Sequence, residues 1–275
     1  MRQWGIAALL LLAAACQQQK QPAKPAETTF DGAQVTDAAA RIAHGERLTH
    51  VLGCRGCHGK DLRGQNWDND PKGYGILWAS NLTRAIPAMT DAQLRDLLTK
   101  GVHPRRHDLW LMPSQLFQHL SPADVDALIA HLRTIKPAGE ATPDPEPGPR
   151  ALRQIESGEV KPAAKLVRER SNTLPFDAGP AYALGRYITE VTCAECHGPK
   201  LEGNHDEEGS TPDLVVAGGY TRAEFEALLT KGIPSGGRKF KNPLMGEVAR
   251  HRFSHFTPHE RDELYAYLKA RAEKP

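Results

Sequence analysis

The motif C-x-x-C-H-G occurs twice in this chain of 275 residues, at positions 54–59 and 193–198. Cysteine pairs with this spacing occur in zinc sites and in thioredoxin-like redox motifs, and a histidine directly after the pair is typical of c-type haem attachment. Any fold of this chain must therefore bring two cysteines and one histidine together at each of two places.

The context of the two motifs favours haem over the other groups. The cysteine pairs are 139 residues apart (193 minus 54), and a zinc ribbon does not require His-Gly after each pair. A thioredoxin-like pair would not occur twice with a histidine attached. In a c-type site, each cysteine forms a thioether with the porphyrin edge and the histidine is the proximal iron ligand. The sequence therefore predicts two covalently attached haem c groups, bound by Cys54, Cys57, His58, Cys193, Cys196 and His197.

Residues 1–15 have the features of a signal peptide. Arg2 precedes an apolar run from Ile6 to Ala15, which is too short to span a bilayer comfortably. The small residues before Cys16 resemble a bacterial lipoprotein cleavage site, and Cys16 is the one cysteine that the two motifs do not use. Ordinary cleavage after Ala15 is the alternative. Either route predicts a periplasmic protein, and lipidation of Cys16 predicts attachment to a membrane surface.

The charge and composition exclude one class of partner and leave room for a cofactor. A formal net charge of +2 gives no electrostatic footprint for nucleic acid. Aromatic residues make up only 6% of the chain, which is little for two domains of roughly 100 residues each. A haem in each domain would supply apolar core that the side chains lack.

Two segments of biased composition divide the chain. The stretch 16–35, rich in Gln, Pro, Ala and Lys, cannot bury a core and is predicted to be a flexible tether. Alternating prolines between 143 and 149 oppose both helix and strand pairing, although a short helix is predicted near Ala163 to Arg170. The predicted divisions are a signal peptide (1–15), a tether (16–35), a first domain (36–137), a Pro-rich linker and connecting segment (138–177) and a second domain (178–275).

The two predicted domains, called here the first half and the second half, share helix signals beyond the cysteine motifs. Each half contains a threonine capping box that opens a short helix ending at a glycine, and a Ser/Thr-Pro pair that opens a final helix. A further helix is predicted to lead into each motif. These signals are Asp37–Leu52, Thr90, Gly101 and Ser121-Pro122 in the first half, and Ala181–Thr192, Thr221, Gly232 and Thr257-Pro258 in the second.

This all-α pattern resembles the class I cytochrome c domain, present twice in tandem. The resemblance covers about residues 36–137 and 178–273. It implies that the first and last helices of each half cross and that one haem lies against them. Its motifs are specific at the two C-x-x-C-H sites and less specific elsewhere.

The resemblance also implies a methionine as the sixth iron ligand, on the loop before each final helix. Met112 lies 54 residues after His58 (112 minus 58), and Met245 lies 48 residues after His197 (245 minus 197). Met89 precedes the Thr90 cap and is interpreted as a packing residue. Ligation by two histidines stays open as an alternative. The competing histidines are His103, His107 and His119 in the first half, and His205, His251, His255 and His259 in the second.

Taken together, the motifs predict an electron-transfer protein rather than an enzyme. A methionine-ligated haem is closed to small substrates and has a raised reduction potential. The expected partners are a donor dehydrogenase and a respiratory acceptor, either a cytochrome or an oxidase. The alternative is a dihaem redox enzyme similar to the bacterial cytochrome c peroxidases or thiosulfate dehydrogenases, in which one iron has an open, His or Cys sixth position.

Overall fold

The computed structural model describes residues 27–106, 108–206, 209–237, 240 and 243–274. The predicted signal peptide, the predicted lipidation of Cys16 and the part of the tether before residue 27 lie outside these residues, as does His107. The end of the predicted tether corrects the prediction of a flexible segment, because Phe30 is buried in the core and its backbone N–H donates to Asp124 at 3.1 Å. Within the described part of the chain, no helix is both long enough and apolar enough to cross a membrane.

Helices dominate the fold, which is 55% helix and 7% strand. Up to residue 157, the α-helices are α1 (Ala38–Val51), α2 (Cys54–Cys57), α3 (Leu82–Ala85), α4 (Asp91–Lys100), α5 (Ser114–Phe117), α6 (Pro122–Thr134) and α7 (Pro149–Ser157). Those that follow are α8 (Ala163–Arg170), α9 (Ala183–Ile188), α10 (Ala194–His197), α11 (Arg222–Lys231), α12 (Leu244–His251) and α13 (Pro258–Ala272). Short 3-10 helices span Ile86–Ala88, Pro180–Tyr182, Leu214–Gly219, Ser235–Gly237 and Phe253–His255, and a π-helix spans Thr189–Cys193.

In the first half, α1 and α6 cross with their backbones in direct contact. The side chain of Asp37 caps α1, and Ser121 caps α6 ahead of a proline at the first helical position. At the crossing, a Cβ atom on Gly45 would lie 1.9 Å from the carbonyl oxygen of Ala127. Only glycine therefore allows the two helices to approach this closely.

The second half repeats this crossing with α9 and α13. A Cβ atom on Gly185 would lie 2.2 Å from the carbonyl oxygen of Glu263. A complete capping box at Thr257 begins α13, in which the backbone N–H of Thr257 donates to the side chain of Glu260. The contact of first and last helices that the resemblance implied is thus present in both halves.

The short middle helices also match the sequence prediction. Thr90 and Thr221 form complete capping boxes at the starts of α4 and α11. Both helices end at a glycine in the left-handed conformation, with φ of 66° at Gly101 and 67° at Gly232. The predicted helix between the halves is also confirmed, because α8 spans Ala163–Arg170.

The halves differ where the first helix enters the cysteine motif. The crossing glycine precedes the motif histidine by 13 residues in the first half (58 minus 45) and by 12 in the second (197 minus 185). In the first half, the extra residue is accommodated at Gly53, which has a φ of 79° and separates α1 from α2. In the second half the chain stays helical through the π-helix Thr189–Cys193.

Small sheets correct the all-α prediction. Strand β1 (Gln65–Asp70) pairs antiparallel with β2 (Gly75–Ala79), and β3 (Glu146–Pro147) joins the other edge of β2. In the second half, β4 (Asn204–Asp206) pairs with β5 (Gly209–Thr211). The prolines between 143 and 149 do not prevent pairing, because β3 is a two-residue edge strand, where a missing N–H is tolerated.

The Pro-rich segment packs against the first half rather than standing free. The Asn81 side chain donates hydrogen bonds to the carbonyls of Ala138 (2.9 Å) and Glu140 (2.8 Å). Farther along, the backbone N–H of Gly148 donates to the Tyr74 carbonyl at 2.7 Å. These contacts attach the beginning of the predicted linker to the hairpin side of the first half.

Equivalent positions of the two halves make reciprocal contacts. Arg47 and Tyr187 each lie two positions after the glycine of a helix crossing. Each side chain contacts the third residue of the final helix in the other half. Tyr187 donates its hydroxyl hydrogen to Asp124 at 2.7 Å, and Arg47 donates to Glu260 at 2.7 Å. Both carboxylates are fully buried. The first helix of each half is therefore anchored to the start of the last helix of the other.

Candidate functional site

The first cysteine motif forms a helical turn that holds its histidine in one orientation. Cys54 to Cys57 form α2, and the backbone N–H of His58 donates to the carbonyl of Cys54 at 2.8 Å. The Nδ1–H of His58 donates to the carbonyl of Ser80 at 2.8 Å. This bond fixes the tautomer that presents Nε2 as the ligating nitrogen, as outer hydrogen bonds do for metal-bound histidines.

The second cysteine motif has the same arrangement. The Nδ1–H of His197 donates to the carbonyl of Pro212, also at 2.8 Å. Burial lowers the pKa of both His58 and His197, which favours the neutral imidazole that binds a metal. Each motif thus presents one oriented, neutral imidazole beside two cysteines.

The turn that follows each histidine is the same in both halves, including a strained leucine. Leu62 and Leu201 have φ values of 61° and 65°, a region that non-glycine residues avoid. Their backbone N–H groups donate to Gly59 and Gly198, each at 2.9 Å. Both leucine side chains are buried in the core, so packing stabilises the conformation that the backbone alone disfavours.

The four motif cysteines are free and buried enough to remain protonated thiols. Burial raises the pKa of Cys54 to about 12 and that of Cys57 and Cys193 each to about 11. The pKa of Cys196 is also raised, again mainly by burial. Cys54 and Cys193 pack against the hydrophobic core, which places the first thiol of each pair on the inner side of the motif.

The predicted sixth ligands lie in different local structures. Met112 lies on a loop, as expected, but this loop leads into the short helix α5 rather than directly into the final helix α6; its side chain packs against the core while partly exposed. Met245 also packs against the core, but it lies in α12 and not on a loop. The loop prediction was wrong there, because the chain after Pro243 already forms a helix that begins at residue 244. Met89 is buried in the core just before its cap, as predicted.

Four of the competing histidines have contacts of their own. The Nδ1 atom of His103 accepts hydrogen bonds from two backbone N–H groups of its turn, each at 3.1 Å. His119 Nδ1 lies 2.9 Å from Glu190, His255 stacks on His50 with ring centroids 4.0 Å apart, and the exposed His259 has its Nδ1 3.0 Å from Asp31. Of the other candidates, His205 and His251 are exposed and His107 lies outside the described residues.

Exposed apolar side chains lie on the segments that lead to the two methionines, and they indicate whether a haem fits each half. Val102 and Leu111 are 51% and 57% exposed, and they flank the loop that carries Met112. Ile233, after Gly232, and Leu244, before Met245, are at the equivalent positions of the second half and are 43% and 50% exposed. Large apolar residues at matching positions suit an apolar macrocycle that covers them. With the oriented histidines and free thiols, they form a residue set that fits one haem c in each half.

Comparison with known proteins supports this for one half of the chain. The family model for cytochrome c matches residues 182–272, a range that contains Cys193, Cys196, His197 and Met245. No curated protein matches the chain. A cytochrome c domain implies covalently bound haem c and haem-based electron transfer, and the cysteines of both motifs fit such sites. Residues 182–272 are therefore similar to a cytochrome c domain.

Proposed function

We propose that this chain is a periplasmic dihaem c-type cytochrome that passes single electrons between a donor dehydrogenase and a respiratory acceptor. The observation that carries the proposal is the repetition of the whole attachment turn, and not only of its cysteines. In each half, the motif histidine donates to a backbone carbonyl at 2.8 Å and a buried leucine with positive φ follows. The first half thus repeats the turn that follows the histidine in the half that matches the cytochrome c family model.

In each half, the residues of the site would have separate roles in binding one haem. When bound, the haem supplies a one-electron Fe(III)/Fe(II) couple. The two cysteines would hold its edge through thioethers, and the histidine would ligate the iron through Nε2. The carbonyl of Ser80 or Pro212 would keep that ring from rotating. Met112 and Met245 would complete the two irons and so exclude small substrates, which supports a carrier rather than an enzyme.

Haem count is the direct test of this proposal. The intact mass of the mature protein should exceed that of the polypeptide by two haems, and acid acetone should extract neither, because both are covalently attached. The double variant Cys54→Ala/Cys57→Ala should retain one covalent haem, and so should Cys193→Ala/Cys196→Ala. A wild-type mass with a single haem contradicts the proposal.

We also propose that Cys16 carries a lipid that anchors the protein to a membrane. The change Cys16→Ser should release the protein from the membrane fraction into the soluble periplasmic fraction. Its visible spectrum should be unchanged, because Cys16 belongs to neither haem motif. Fractionation and intact mass measure both effects. Wild-type protein that is fully soluble and begins at residue 16 without added lipid contradicts the anchor.

A further inference from the structure

One arginine connects the two haem-attachment motifs. Arg252 follows α12 in the second half, and its Nη1 donates to Glu195 at 2.6 Å. Glu195 lies between the two cysteines of the second motif. The Nε of the same guanidinium donates to the carbonyl of Val51 in the first half, at 3.1 Å. A Cβ atom on Gly53, which directly precedes Cys54, would lie only 2.9 Å from Cζ of Arg252. The guanidinium therefore contacts the second motif and the backbone directly before the first motif.

The guanidinium of Arg252 lies beside both attachment sites. Its Nη1 donates to Glu195, the residue directly before Cys196, and its Nε donates to the carbonyl of Val51, three residues before Cys54. A single positive charge is therefore close to the two places where the haem edges would be attached.

The environment of Arg252 makes this charge effective. Its side chain is only 12% exposed, against 30% for Glu195. Among the described residues, the buried Nη2 atom of Arg252 has no hydrogen-bond partner. Charges in such sites are screened much less than those in water. The ion pair with Glu195 holds the guanidinium in place and compensates part of its charge.

The equivalent position in the first half carries no charge. Arg252 and Leu116 each precede a buried phenylalanine, Phe253 and Phe117, five residues before the cap of the final helix (257 minus 252; 121 minus 116). Leu116 is a buried core residue. Of these two equivalent positions, only the one in the second half therefore carries an arginine.

On the basis of the proposed function, we propose that Arg252 raises the reduction potentials of both haems, and that its bonds to Glu195 and to the carbonyl of Val51 together hold the two attachment motifs side by side. Ferric iron carries one more positive charge than ferrous iron, so a nearby cation favours the reduced state of either haem. Because the motifs are adjacent, an electron would pass directly from one haem to the other. In that step one ferrous iron is oxidised to ferric while the other ferric iron is reduced to ferrous.

A set of charge variants tests the proposal by potentiometric titration of the holoprotein. Arg252→Gln should lower both potentials, with roughly a tenfold rise in the oxidised-to-reduced ratio at a fixed potential, or about 59 mV for one electron. Glu195→Gln should raise both potentials, because the guanidinium is then uncompensated. The double variant should lie near the wild type. Arg252→Lys, which retains the charge, should shift the potentials least among the variants at position 252.

The possible outcomes separate this inference from the dihaem proposal. The intact mass of each variant is measured first, and a wild type with one haem overturns the dihaem function itself. Two haems with unmoved potentials, or with only one potential moved in both charge variants, overturn the shared role of Arg252. Equal shifts in Arg252→Lys and Arg252→Gln indicate altered packing rather than charge and also overturn it. If Arg252→Gln does not fold, Glu195→Gln must still raise both potentials for the inference to stand.

Discussion

Replacing Met112 by histidine should remove about half of the weak far-red absorption of the oxidised protein and lower the potential of the first haem. Ferric haem bound to a methionine sulfur gives this absorption, and imidazole in place of thioether abolishes it. Because imidazole stabilises ferric iron more than thioether does, the altered haem should move down within the roughly 0.8 V range that axial ligands cover. Met245→His should remove the other half.

A matched control is available in the first half. Met89 is buried in the core and is only 7% exposed, so Met89→Leu should leave the far-red band and both potentials unchanged. Visible spectra and redox titration measure all three variants. Unaltered spectra in Met112→His or Met245→His would exclude that methionine as a ligand. Rapid binding of cyanide or peroxide by the wild type would instead favour the dihaem enzyme over the carrier.

The features that the sequence predicted well are those that depend on residues close together in the chain. Thr90 and Thr221 each accept from a backbone N–H three residues later, so a four-residue pattern was enough to predict both helix starts. The motif turns are equally local. The orientation of His58 and His197 was not predictable, because the accepting carbonyls lie 22 and 15 residues farther on, in loops without a sequence signal.

The hairpin of the first half was missed for a compositional reason. Strand β1 has the sequence Gln-Asn-Trp-Asp-Asn-Asp, in which residues that disfavour strands predominate and no alternation of apolar residues is present. Its pairing depends on the register with β2 and on the close approach of Gly75 to Glu146. Such contacts follow from tertiary packing and leave no periodic pattern in the chain.

The interface between the halves was also invisible in the sequence. Tyr187 and Asp124 are 63 residues apart, and Arg252 and Val51 are 201 apart. Each of these residues is ordinary in its local segment. Equivalent positions in the two halves also carry different chemistry, because the partner of Asp124 is a tyrosine and that of Glu260 is Arg47. At this interface, the two halves therefore use equivalent backbone positions, but the side chains that make the contacts differ.

Both crossings of first and last helices should depend on glycine. In an exposed helix interior, replacing glycine with alanine stabilises a protein by roughly 1 kcal/mol. At Gly45, however, the new Cβ would lie 1.9 Å from the carbonyl oxygen of Ala127, and a backbone atom cannot turn aside as a flexible side chain can. The two helices must then separate, so Gly45→Ala should lower the free energy of unfolding by about 3 kcal/mol. Gly185→Ala, at 2.2 Å from the Glu263 carbonyl, should behave similarly.

Thermal unfolding of the holoprotein, followed by circular dichroism, measures this effect, and about 3 kcal/mol corresponds to a fall in Tm of roughly 10 °C for a chain of this size. Gly219→Ala is the matched control, because a Cβ atom on Gly219 meets nothing within 4 Å. It should leave the Tm within a few degrees of the wild type. If Gly45→Ala unfolds at or above the temperature of the wild type, α1 and α6 do not touch at this glycine. The close crossing of α1 and α6, which positions the first cysteine motif, would then be wrong.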